Sequence, residues 1–193
     1  QVLTKNEQDL VTLTRQFQAK VAAEDVLGYE GEIERRPDEA GLRDDAAMLY
    51  LELGRPEEAG EHFRKALALK GPDAAAHYNL GTALTLGRHL DQAEYEYRQA
   101  LRLDPSYANA HNNLGNVLMA EGKFADAIQQ FRDVVRLQPE SAVAHSNLST
   151  ALASAGDYTG AIEEADAALK LKPVEPLASE LRKRRDRYQQ RRP

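Results

Sequence analysis

No cysteine occurs in the 193 residues. That removes disulfides, thiolate nucleophiles and cysteine metal ligands, and it leaves the compartment open. Tryptophan is also absent and aromatics make up only 6%, so the interior must be filled chiefly by Ala and Leu. No apolar run approaches the ~18 residues that a membrane helix needs, so no membrane span is expected. Phosphate-cradling glycine loops, nucleophile elbows and paired zinc-ligand motifs are all missing. An enzyme activity, a cofactor and a metal are therefore not expected within these residues. No signal peptide is visible, and the chain starts at Gln1 without Met, as a trimmed piece of something longer would.

What the chain does have is a pattern of fixed period that restarts at Ala40, Ala74, Ala108 and Ala142. Ala74–Tyr107 is its clearest unit, matched by Ala108–Ser141 and Ala142–Glu175 and, with more drift, by Ala40–Asp73. The seventh place reads Ala46, Leu80, Leu114, Leu148, and the eighth Ala47, Gly81, Gly115, Ser149. Alanine holds the twentieth place each time: Ala59, Ala93, Ala127, Ala161. Phe63, Tyr97, Phe131 and Ala165 share the twenty-fourth, and Ala66, Ala100, Val134 and Ala168 the twenty-seventh. Columns kept in register over four blocks identify a repeat array.

Within a block the apolar residues recur at helical spacing on either side of a break. The break reads Gly54-Arg55-Pro56, Gly87-Arg88, Gly122-Lys123 and Gly156-Asp157. Each block is therefore predicted to be two short helices joined by a glycine turn, and Pro105, Pro139 or Pro173 ends the second. Small residues at the eighth and twentieth places let the paired helices approach closely. Asp73, Ser106 and Ser141 stand where they can cap the following helix.

Asn79-Leu80-Gly81, Asn113-Leu114-Gly115 and Asn147-Leu148-Ser149, each followed by the recurrent alanine and the closing proline, resemble the tetratricopeptide repeat (TPR) family. The resemblance covers about 40–175. It implies an all-α, right-handed superhelical solenoid with repeats at 40–73, 74–107, 108–141 and 142–175. The fourth place departs from the family's frequent aromatic and holds Arg43, His77, His111 and His145. Histidines one repeat apart would be separated by about 10 Å, too far to share a metal ion, so this column is read as packing.

Residues 1–39 are read as a helical N-terminal cap or degenerate repeat. Thr4-Lys5-Asn6-Glu7 fits a capping box, Leu10, Leu13, Phe17 and Val21 form a stripe, and a second helical piece runs to Pro37. Residues 176–193 are read as a basic capping helix bearing Leu177, Leu181 and Tyr188. From Leu177 on, seven cations stand against Glu180 and Asp186 for a net +5, so the rest of a chain at −6 carries −11. Tyr188 is the single aromatic among these cations, too few for a stacking platform, and the remainder would repel phosphate, so the charge is read as a solvated face and nucleic acid is not expected.

In the TPR family the first helices line the concave side of the array, which is the implied binding face. The second, fifth, sixth and ninth places form one stripe. In the third block it is Asn109, Asn112, Asn113 and Asn116; its neighbours add Tyr78, Asn79 and Asn147. Asparagine is a poor helix former, and four of them cost roughly 2–3 kcal/mol relative to alanine. Each amide both donates and accepts, as a peptide group does. The stripe resembles the asparagine ladder in the TPR part of O-linked N-acetylglucosamine transferases, although no glycosyltransferase domain accompanies it. The expected ligand is an extended polypeptide segment held through its backbone. The sequence stripe carries no basic residue, and Asp44 and Asp45 stand in its first block. This argues against a carboxylate clamp for chaperone tails and favours a partner that is neutral or basic near the N-terminal repeats. Two other functions fit the same pattern: a regulatory or substrate-delivering portion of a larger enzyme, and a self-assembling scaffold.

Overall fold

The computed structural model describes residues 24–191. The Thr4 capping box and the Leu10–Val21 stripe lie outside the described residues. Among the described residues all regular structure is helical: α1 (24–35), α2 (Ala40–Glu52), α3 (Pro56–Lys70), α4 (Ala74–Leu86), α5 (Leu90–Leu103), α6 (Ala108–Ala120), α7 (Phe124–Leu137), α8 (Ala142–Ser154), α9 (Tyr158–Lys170) and α10 (Leu177–Arg191). They fall into two compact units, one ending at His89 and the other beginning at Leu90.

The recurrent columns are the core. Leu80, Leu114 and Leu148 are buried, as are the four alanines of the twentieth place and the aromatics Phe63, Tyr97 and Phe131. Close approach explains the small eighth place. A Cβ built on Gly115 would lie 2.8 Å from the Phe131 ring. One repeat later Ser149 fits because the residue opposite is Ala165, and its hydroxyl donates to the Ala161 carbonyl at 2.6 Å.

The turns inside the repeats share one geometry, and it corrects the alignment read from sequence. The left-handed residue is Gly54 (φ 70°), Arg88 (φ 64°), Gly122 (φ 75°) and Gly156 (φ 87°), whereas Gly87 has φ −75°. The place that demands positive φ in the second block therefore falls on Arg88, one residue beyond the glycine. In all four turns the next N–H returns to the helix, as in His89 to the Leu84 carbonyl at 2.9 Å. The caps are mixed. Asp73 accepts from the Ala76 N–H at 2.7 Å and Ser141 from Ala144 at 3.3 Å. Ser106 does not cap α6: its hydroxyl and N–H both donate to Asp104, at 2.6 and 2.9 Å, and α6 starts after Tyr107 without a side-chain cap.

In the first unit α2 packs on α3 and α3 on α4. α1 buries Val26 and Ile33, and its Glu30 accepts from the Tyr50 hydroxyl at 2.9 Å and lies 3.0 Å from His62 Nε2. In the second unit consecutive helices from α5 to α9 pack on one another, the α6–α7 and α8–α9 pairs most extensively, and α10 closes the series against α9. Leu181 of α10 packs with Ala165 and Ala168 of α9, flanked by Leu169 and Leu177. The small twenty-fourth residue of the last repeat thus leaves space that the capping helix fills.

Candidate peptide-binding face

On α6 the four asparagines lie on one side of the helix, spaced by its period. Asn112 and Asn113 are half-buried, whereas Asn109 and Asn116 are exposed. The inner amides form a relay. Asn147 on α8 donates to Asn112 Oδ1 at 2.8 Å, Asn112 to Asn113 Oδ1 at 3.3 Å, and Asn113 to the Tyr97 hydroxyl of α5 at 3.4 Å. Three of the stripe's asparagines are thereby brought into direct contact rather than standing as separate rungs. Among the described residues Asn109 and Asn116 make no side-chain hydrogen bond. A cleft of about 170 Å³ opens beside the relay, lined by Asn109, Asn112, Gln138 and Ser141 together with Val134 and Val143. No charged side chain lines it.

The other predicted residues belong to the first unit. Tyr78 and Asn79 are half-buried on α4, Asp44 is half-buried on α2, and Asp45 is exposed. Asp44 is not the bare carboxylate that the stripe suggested, because the Lys70 ammonium at the end of α3 pairs with it. That contact holds the lysine above its ordinary range and removes much of the negative charge assigned to this part of the face.

A second correction comes from α10. The sequence stripe holds no cation, yet Arg184 reaches back to Thr150, the ninth-place residue of α8, and donates to its hydroxyl at 2.8 Å. Thr150 spends its own hydrogen on the Ser146 carbonyl at 2.9 Å, so its oxygen is available to accept. The signal was present in the sequence: Arg184 stands 34 residues after Thr150, the place that an arginine would occupy if α10 continued the first-helix pattern.

Three of the four fourth-place residues act as clips. His111 contacts the Pro105 carbonyl through Nε2 at 3.1 Å and Gln130 through Nδ1 at 2.8 Å. His145 repeats this with Pro139 at 3.1 Å and Glu164 at 2.6 Å, and Arg43 reaches the Pro37 carbonyl at 3.0 Å. Each ties the start of its helix to the preceding proline, and both histidines also tie it to the partner helix. Among the described residues no group of three or more His, Asp or Glu side chains could hold a metal ion, and no helix is long and apolar enough to cross a membrane.

Sequence models of the tetratricopeptide repeat match residues 43–73, 89–122 and 112–176. No curated protein matches the chain. Among solved structures, a MamA protein superposes with a TM-score of 0.75 at 21% identity, over 82% of this chain and 87% of that one. YrrB, described as a TPR protein with an unusual peptide-binding site, gives 0.73 at 24% identity over 92% and 89%. MamA from Desulfovibrio magneticus RS-1 gives 0.69 at 24% over 79% and 88%. At these identities the likeness is one of fold.

Proposed function

Because this chain belongs to the tetratricopeptide repeat family, we infer that it is a non-enzymatic scaffold whose asparagine stripe holds an extended polypeptide segment. The family and its solved neighbours support a protein-interaction role in general. What carries the finer reading is the state of the stripe. Asn109 and Asn116 each carry the helix-propensity cost of asparagine without any side-chain hydrogen bond among the described residues to offset it. Between them the relay fixes the amides of Asn112 and Asn147 in place, so little side-chain entropy remains to be lost when a ligand binds. Amides suit a peptide backbone, donor to carbonyl and acceptor to N–H. The uncharged cleft beside Asn112 suits a neutral side chain of the same segment.

The test is fluorescence anisotropy with a labelled serine- and threonine-rich peptide as probe, on the wild-type chain and on Asn112→Ala/Asn113→Ala. Losing two or three hydrogen bonds of ~0.5–1.5 kcal/mol each should weaken binding about tenfold or more. Helical content should hold or rise, since alanine is the better helix former. Unchanged affinity would remove the stripe from the binding site.

A further inference from the structure

The stripe does not stop at α8. Asn112 and Asn147 join α6 to α8 at 2.8 Å, and Thr150 and Arg184 join α8 to α10, also at 2.8 Å. The capping helix is thus the next element alongside the stripe, and the chemistry changes there from amide to guanidinium. Immediately beyond Arg184 lies a cleft of about 220 Å³ lined by Arg184, Arg187, Tyr188 and Arg191. The Tyr188 ring is held 6.2 Å from that of Tyr158 on α9. At roughly 30 Å³ per water molecule, the cleft has room for one or two carboxylate groups with their solvent.

Internal pairing does not exhaust these cations. Arg182 pairs with Glu175, and Arg185 with Asp166 and Asp186, and neither lines the cleft. Of the arginines that line it, Arg184 bonds Glu180 at 2.8 Å and Arg187 reaches the same carboxylate only at 3.8 Å. Among the described residues no carboxylate pairs with Arg191. One carboxylate therefore serves two of the three guanidinium groups, and Arg184 is fixed in position by both Glu180 and Thr150.

We propose that this arginine-lined cleft takes the carboxylates of an acidic stretch carried by the same polypeptide segment that lies along the asparagine stripe. The inference rests on reading that stripe as a polypeptide site. It gives the segment a direction: its uncharged part lies over α6 and α8, and its acidic residues lie at α10. Guanidinium forks match carboxylates in geometry as well as charge. A long polyanion such as nucleic acid is disfavoured, because residues 1–176 carry −11. A short acidic run engages the arginines and leaves that field behind within a Debye length of ~8 Å at physiological salt.

The experiment uses the full chain and two probes, a labelled serine- and threonine-rich peptide ending in a glutamate run and its isostere ending in glutamines. Wild type should bind the glutamate probe about tenfold more tightly at low salt, and the advantage should shrink as salt rises. Arg187→Gln/Arg191→Gln, both at solvent-exposed positions, should abolish the advantage and leave the glutamine probe's affinity unchanged. Equal affinity of wild type for the two probes would overturn the inference while leaving the stripe reading intact. Failure of both probes to bind would remove the stripe reading and the inference with it. Tighter binding of a single-stranded oligonucleotide than of the glutamate probe would also overturn it, by assigning the arginines to phosphate. Circular dichroism of the double variant separates lost recognition from lost helix.

Discussion

At the scale of the residue, Arg88 shows what a column cannot convey. Its neighbour Gly87 invites alignment with the turn glycines, yet the backbone demands positive φ one place later, where the side chain is arginine (φ 64°). A non-glycine residue there costs ~1–2 kcal/mol, and glycine's greater freedom in the unfolded chain returns part of that. Arg88→Gly should therefore stabilise the protein by about 0.5–1 kcal/mol net, read as a raised urea midpoint with unchanged slope. His62 makes a different case. Burial pushes its imidazole below the ordinary value, outweighing the pull of Glu30, and its Nδ1 is buried without a partner. As pH falls past ~6.5 the unfolded chain takes up a proton before the folded one does. Stability is thus fully present above that pH and declines below it, toward the lowered folded value. His62→Phe, which keeps a ring stacked on Tyr50 (centroids 5.3 Å apart in the parent), should flatten the fall in urea midpoint between about pH 7 and pH 5. An unaltered pH profile would show that another group carries it.

At the scale of the element, two helical glycines that look alike in sequence have opposite surroundings. A Cβ on Gly60 of α3 would meet nothing nearer than Ala83 Cβ and Leu80 Cδ1, both at 4.0 Å. A Cβ on Gly115 of α6 would strike the buried Phe131 ring at 2.8 Å. Gly60→Ala should stabilise by roughly 0.5–1 kcal/mol, and Gly115→Ala should destabilise by about 1–3 kcal/mol through overpacking, with thermal or urea unfolding as the measurement. The helices themselves were legible because Leu80, Leu114, Leu148 and the twentieth-place alanines keep both spacing and chemistry from block to block. The fourth-place clip was not. Its partners, Gln130 and Glu164, lie 19 residues on and differ in charge, so no single residue type marks the column. Asn112 was legible as a residue of the stripe, but its bond to Asn147 was not, because side-chain contact across repeats depends on helix packing rather than on spacing within one helix.

At the scale of the molecule, a repeat array couples each hairpin mainly to its neighbours, so damage at one end should stay near that end. Leu181 provides the test. It is 1% exposed and fills the space that Ala165 leaves where the earlier repeats carry Phe63, Tyr97 and Phe131. Truncation to alanine should cost ~2–5 kcal/mol, but as a local opening rather than a global one. Hydrogen exchange on Leu181→Ala should show the amides of α9 and α10 losing protection first and most, with α6 and α7 retaining theirs. Uniform loss through the second unit would mean that α5–α10 unfold as one cooperative body instead. The same substitution bears on recognition, because α10 holds Arg184 against Thr150 at 2.8 Å. A cap that has let go of α9 can no longer present its arginines at the end of the asparagine stripe. The glutamate probe's advantage over its glutamine isostere should therefore disappear in Leu181→Ala, even though no arginine has been changed.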